Sequence, residues 1–216
     1  MLVSLWMSRD VVTITADTLI TEAASLMMHR QIRRLPVVHQ DAKGKHLIGI
    51  ITNSDIYRAF PPEINPFSVI AQEISHSTIT VGEVMKAHPL KTTPDTPIEE
   101  AARLMRDQKI AALPVVKDDE LVGMITESDI FKAFLELLES QPGDVKITFD
   151  ASKRHDLLEW VAERARKYDI HVESLISYQH DGRPLCLVRM TGKAVERFVD
   201  DLWRSGHPVL NVLRTN

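Results

Sequence analysis

Residues 7–40 of this 216-residue chain return at 85–118, a shift of 78, with fifteen of 34 positions identical. Leu35-Pro-Val-Val38 comes back unchanged as Leu113-Pro-Val-Val116. Asp17-Thr18, Ala23-Ala24 and Leu26-Met27 recur as Asp95-Thr96, Ala101-Ala102 and Leu104-Met105. After four extra residues in the first copy the shift becomes 74, and 47–60 match 121–134 at nine of 14 positions. A unit of about 54 residues is therefore present twice, and a unit that small buries little apolar surface alone. The two copies are expected to pack their sheets together about a pseudo-two-fold axis.

Each copy reads as β-α-β-β-α. Residues 11–15 have strand composition and lead into Asp17-Thr18, a helix start signal. In the second copy Thr96-Pro-Ile-Glu99 reads as a capping box with proline at the first helical position. Ile20, Ala23, Ala24 and Met27, then Ile98, Ala101, Ala102 and Met105, are spaced to give one apolar helix face. Leu-Pro-Val-Val reads as a buried strand whose proline sits at its start, where it removes no ladder bond. Residues 47–51 and 121–125 read as further buried strands, each ending at a threonine that opens a second helix.

Pro61-Pro62 closes the first copy, and the insert 61–80 is expected to enter the second through a strand at 77–81. Gln141-Pro-Gly-Asp144 is the next break. Beyond it, strands at 146–149, 171–177, 185–190 and 209–213 alternate with helices at 154–168 and 194–204, with a turn at 180–183. That is the ferredoxin-like order βαββαβ. The expected fold class is α/β (α+β): repeats at 7–60 and 81–138, an insert at 61–80, a linker at 139–144 and a third domain at 145–214.

Charge and composition narrow the function. The net charge of −4 argues against a general grip on nucleic acid or on an anionic membrane. No apolar run approaches the roughly 20 residues of a spanning helix, and the first residues lack the basic start of a signal peptide, so a cytoplasmic protein is expected. Cys186 is the single cysteine, which rules out an internal disulfide and any multi-cysteine metal site. It falls at an apolar mid-strand position and reads as a buried thiol. His171 reads as an exposed strand histidine, and Trp6, Trp160 and Trp203 as packing or interface residues. No Gly-rich phosphate loop, G-x-S-x-G or H-E-x-x-H occurs, and no two of the nine histidines stand four apart. Catalysis is not expected.

Gly49-Ile-Ile-Thr52-Asn-Ser-Asp55 and Gly123-Met-Ile-Thr126-Glu-Ser-Asp129 carry the most chemistry. Thr-x-x-Asp at a strand-to-helix junction is a capping box. The same place also suits phosphate at a helix N-terminus, with a carboxylate able to accept hydrogen bonds from ribose hydroxyls. Capping alone does not separate the two readings.

With Leu-Pro-Val-Val and Gly-x-x-Thr-x-Ser-Asp both recurring in register over about residues 7–136, the chain resembles tandem CBS domains, the pair called a Bateman module. That resemblance implies a cleft between the repeats holding an adenosine ligand such as AMP, ADP, ATP or S-adenosylmethionine. By the same resemblance Asp55 and Asp129 would meet ribose, and Thr52 and Thr126 would lie near phosphate, with Ser54 and Ser128 between them. The adenine pockets would be lined by Thr13 and Arg33, Arg34, Leu35 and Pro36 in one copy. In the other they would be lined by Lys91 and Ala111, Ala112, Leu113 and Pro114. Arg33-Arg34 stand where the second copy has Ala111-Ala112, so the arginine-bearing site is expected to hold phosphates better.

Residues 145–214 resemble an ACT domain by element order, although the loop 150–155 lacks the glycine that such domains use to approach an amino acid. A CBS pair followed by an ACT-like domain is similar in layout to the acetoin-utilisation protein B family. The resemblance implies a non-catalytic regulatory sensor, a homodimer, with a regulated protein target that the sequence does not identify. Two other readings stand beside it: an interaction scaffold whose clefts are filled by its own side chains, and an enzyme of acetoin metabolism.

Overall fold

Two hairpins, one from each copy, build the first sheet. In the computed structural model, which describes residues 1–42, 44–60, 65–67, 78–139, 141–153 and 156–215, the chain divides into two units, Met1–Leu137 and Leu138–Asn216. In the first unit β1 (Arg34–Asp41) pairs antiparallel with β2 (Gly44–Thr52), in the register Leu35↔Ile51. The short β3 (Lys86–Ala87) pairs with β2. The second copy repeats the hairpin with β4 (Ala112–Lys117) and β5 (Glu120–Thr126), in the register Leu113↔Ile125. The sheet order is β1-β2-β5-β4, the two hairpins meeting at His46↔Glu120.

The helices are α1 (Ile20–Arg30), α2 (Asn53–Ala59), α3 (Val81–Val84), α4 (Ile98–Gln108) and α5 (Glu127–Leu138). The apolar faces expected of α1 and α4 are buried at Ile20, Ala23, Ala24 and Met27, and at Ile98, Ala101 and Met105. Both helices end on a left-handed residue, Gln31 and Lys109. The order helix-strand-strand-helix thus holds in both copies.

Three local expectations change. Residues 11–15 form no strand; only Ile14 bridges to Val37, as Thr92 bridges to Val115 in the second copy. The chain turns away because the Thr15 amide donates to the Thr18 hydroxyl at 3.3 Å, and the Thr93 amide to the Thr96 hydroxyl at 3.2 Å. That same bond occupies the Thr96 hydroxyl, so Thr96-Pro-Ile-Glu99 is not a capping box: Pro97 is the N-cap and α4 starts at Ile98. Of the strand expected at 77–81, residue 77 lies outside the described residues. Val81 opens α3 instead, where the Thr80 amide and hydroxyl both donate to Glu83 Oε2, at 2.7 and 3.0 Å.

The two copies exchange their leading segments. Val3 and Met7 are buried in the second copy's core with Ile98, Met105, Leu113 and Ile125. Val81, with the same spacing relative to its own copy, is buried in the first copy's core with Ile20, Met27, Leu35 and Ile51. The backbone repeats the symmetry: the Val3 amide donates to the Thr96 carbonyl at 2.9 Å, and the Val81 amide to the Thr18 carbonyl at 2.8 Å. Neither core is complete without a segment that precedes the other copy.

The second unit runs β6 (Val145–Asp150), α6 (Leu157–Lys167), β7 (His171–His180), β8 (Arg183–Thr191), α7 (Val195–Arg204) and β9 (Val209–Arg214). The antiparallel sheet has the order β7-β8-β6-β9, the ferredoxin-like arrangement. Its core holds Phe149, Trp160, Phe198 and the free thiol of Cys186. Residues 154 and 155, the expected start of its first helix, lie outside the described residues. No helix among the described residues is long and apolar enough to cross a membrane.

Candidate ligand-binding cleft

The Gly-x-x-Thr-x-Ser-Asp segments run from the end of a strand into a helix, and the glycine, threonine and aspartate each have an assignable task. Gly49 and Gly123 let the exchanged segments approach. A Cβ at Gly49 would lie 2.3 Å from Met85 Sδ, and one at Gly123 would lie 2.7 Å from Met7 Sδ and 3.0 Å from the Ser8 carbonyl oxygen. The threonine and aspartate form the same box in both copies. The Thr52 amide and hydroxyl donate to Asp55 Oδ2 at 2.9 and 2.6 Å, and the Asp55 amide donates back to the Thr52 hydroxyl at 3.3 Å. The Thr126 amide and hydroxyl donate to Asp129 Oδ2 at 2.8 and 2.7 Å, with the return bond at 3.3 Å. The aspartates differ at their second oxygen: Asp55 Oδ1 is held by Arg58, whereas Asp129 Oδ1 has no partner among the described residues.

A cavity of about 520 Å³ opens where the copies meet. From the first copy it takes Arg34 and Pro36 at the start of β1, with Gln31, Ile32 and Arg33 before them. From the second it takes Ala111 just before β4, Ala112 of β4, Met124 and Thr126 of β5, and Glu127 and Ser128 at the start of α5. Ser8, Asp10, Val11 and Val12 close it from the exchanged N-terminal segment. Arg33-Arg34 and Ala111-Ala112 thus line the same cavity. The pseudo-two-fold relation accounts for this, because equivalent dipeptides approach each other where the copies meet.

Seven of the sixteen residues that the motifs single out line this cavity: Arg33, Arg34, Pro36, Ala111, Ala112, Thr126 and Ser128. Asp129 stands directly behind Thr126 through the capping box. Thr13 is half-buried beside Val12, and Lys91 is exposed and 3.9 Å from Asp119. Leu35 and Leu113 are fully buried core residues, and Pro114 is buried in β4. Thr52, Ser54 and Asp55 lie outside the lining. Asp10, Gln31, Met124 and Glu127 line it without being picked out by either motif. For Glu127 the signal was the one substitution between the two copies of Thr-x-Ser-Asp, Asn53 against Glu127.

The lining carries two guanidiniums, Arg33 and Arg34, and two carboxylates, Asp10 and Glu127. Burial pushes the Arg34 pKa below its ordinary value, the Glu127 carboxylate draws it back up, and neighbouring Arg33 lowers it further. Arg34 keeps its charge, half-buried and facing Glu127. Away from the cavity, burial in the second unit pushes the Cys186 thiol up to about 12, so no thiolate is at hand there. His171 is exposed, Trp160 is buried and Trp203 is exposed. Among the described residues no group of three or more His, Cys, Asp or Glu is placed to hold a metal ion.

A CBS domain family model matches residues 3–62 and 81–136. A CBS domain-containing protein of Dictyostelium discoideum is 35% identical over 65% of this chain and 96% of its own length. Homoserine O-acetyltransferase of Methanohalobium evestigatum is 34% identical over 60% of this chain, but the chain spans only 23% of that enzyme. Inosine-5'-monophosphate dehydrogenase of Korarchaeum cryptofilum is 32% identical over 57% of this chain and 22% of the enzyme. In these enzymes the resemblance is thus to a minor part of a longer protein. Among solved structures, a Vibrio cholerae protein described as an acetoin utilization protein (AcuB) is 32% identical, with a TM-score of 0.51 over 66% of this chain and 98% of that one. CBSX2 in complex with AMP is 26% identical, with a TM-score of 0.52 over 64% and 98%. The CBS domain pair of protein MJ0100, in complex with 5'-methylthioadenosine and S-adenosyl-L-methionine, is 31% identical, with a TM-score of 0.50 over 62% and 95%.

Proposed function

The chain belongs to the CBS-domain family, and from that premise we propose that it is a regulatory sensor that binds one adenosine ligand in the cavity between its two repeats. The observation that carries this reading is the lining itself: arginines from one copy share the cavity with Thr126 and Ser128 at the N-terminal, positive end of α5 in the other. Arginine recognises phosphate or carboxylate in a forked geometry, and a helix N-terminus suits the same groups. Thr126 is oriented by Asp129, whose remaining oxygen is able to accept from a ribose hydroxyl. The AMP in CBSX2 and the S-adenosyl-L-methionine and methylthioadenosine in MJ0100 are of the proposed ligand class.

One site fits the side chains better than two. Asp55 is already held by Arg58 and by Thr52, and neither Asp55 nor Thr52 lines the cavity. The first copy's motif is thus read as structural, as in a scaffold, and the second copy's as ligand-binding. Site residues on this reading are Arg33, Arg34, Pro36, Ala111, Ala112, Thr126, Ser128 and Asp129.

The protein performs no chemistry of its own on this reading. The 145–214 domain is assigned as an ACT-like regulatory domain on its βαββαβ order, and the AcuB similarity supports a place in acetoin or carbon metabolism. A homodimer is supported by the exposed Phe131, Phe134 and Leu135 on α5. Ligand binding acts on the partner only if it favours one arrangement of the repeats over another.

The test is a thermal-unfolding screen of the full chain with AMP, ADP, ATP, S-adenosylmethionine and methylthioadenosine, beside Arg33→Ala/Arg34→Ala. A ligand at about 100 times its Kd adds roughly 2.7 kcal/mol, a rise of about 5–10 °C. A rise with at least one compound, reduced in the double variant, is the expected result. No rise with any of them transfers the protein to the scaffold class.

A further inference from the structure

We propose that Glu127 selects among adenosine ligands, admitting those with a thioether or sulfonium group at the 5′ position and holding off those with a di- or triphosphate. This rests on the adenosine reading of the same cavity and goes beyond it by naming the ligand's tail.

The copies differ at this one place inside Thr-x-Ser-Asp. Asn53 follows the capping threonine in the first, Glu127 in the second. The position is not needed for the cap, which uses Thr126 and Asp129 alone. The Glu127 amide donates to the Ala111 carbonyl at 3.3 Å, and its carboxylate makes no hydrogen bond or ion pair among the described residues, acting on Arg34 only through its charge. The fold therefore leaves the side chain exposed at the wall of the cavity.

Its effect follows from where it stands. The positive end of α5 would attract phosphate, and a carboxylate there competes for the same positive potential. Glu127 also faces Arg34, the more buried of the two guanidiniums, and so offsets the charge that would otherwise hold a phosphate. With Asp10 on the lining as well, the two arginines are matched by two carboxylates. A triphosphate carries three to four negative charges into a cavity with no net positive charge. A sulfonium with its ammonium and carboxylate finds a partner of each sign, and a neutral thioether loses nothing.

The experiment is a calorimetric titration of the full chain, wild type and Glu127→Gln, with ATP, AMP, methylthioadenosine and S-adenosylmethionine at low and at physiological salt. Wild type is expected to bind methylthioadenosine and S-adenosylmethionine more tightly than ATP. In Glu127→Gln the ATP affinity rises about tenfold, given a unit charge several ångströms from a polyphosphate at intermediate dielectric. AMP gains less, methylthioadenosine stays within about twofold and S-adenosylmethionine weakens; the ATP gain shrinks as salt screens it. Glu127→Asn, which restores the first copy's residue, repeats the pattern, and an unchanged unfolding midpoint shows that the fold is intact. Binding of adenosine compounds with the same ATP to methylthioadenosine ratio in all three proteins overturns the selectivity and leaves the sensor reading standing. No binding by any of the three proteins overturns both.

Discussion

Gly123 illustrates how a residue in a motif can serve packing first. It lies in β5 with Met7 Sδ and the Ser8 carbonyl where a side chain would be. Gly123→Ala forces the exchanged N-terminal segment outward, and overpacking of this kind costs about 1–3 kcal/mol. Chemical denaturation is expected to show a loss of that size for the first unit. Cys186 serves packing alone. Its thiol is buried in the second unit's core, with a folded pKa near 12 against an ordinary 9.0. Between those values the unfolded chain has lost the proton and the folded chain still holds it. The contribution is therefore complete below about 9 and disappears as pH rises toward 12. Cys186→Ala is expected to flatten the alkaline fall in stability of this unit, and a thiol reagent at neutral pH to label Cys186 only as the unit unfolds.

The helix-start elements show what was legible in the sequence and what was not. The Thr52 and Thr126 boxes were readable because spacing, residue type and neighbouring apolar run all agree. Thr96 offered the same letters, but its hydroxyl closes a turn onto the Thr93 amide and the helix begins two residues later. The strand expected at 11–15 reduces to one bridge for the same reason, a threonine turn at 15–18 that composition does not reveal. The capped starts also separate folding from binding. Thr52→Ala and Thr126→Ala each remove one cap and each is expected to cost about 1 kcal/mol. Only Thr126 lines the cavity, so only Thr126→Ala is expected to weaken adenosine binding in a titration. Equal weakening by both variants would assign a second site to the first copy.

At the scale of the whole chain, the duplication, the sheet hairpins and the ferredoxin-like order were legible because they rest on periodicity and repeated letters. The exchange of leading segments was not. Val3 and Val81 are equivalent in sequence, yet each is buried in the core of the other copy, and a repeat compared only with itself carries no sign of that. The cavity escaped a one-copy reading for the same reason, since Arg34, Ala112 and Glu127 meet only when the copies pack. Val3→Ala is therefore expected to destabilise the second copy's core by about 2 kcal/mol, although Val3 lies outside the repeat itself. The most direct test of the central claim is a titration of the wild-type chain beside Ala111→Trp, which fills the cavity from a half-exposed position. The wild type is expected to bind an adenosine compound, and the variant, its circular dichroism unchanged, to bind none. Undiminished binding by Ala111→Trp would place the ligand outside this cavity and rule out the sensor site described.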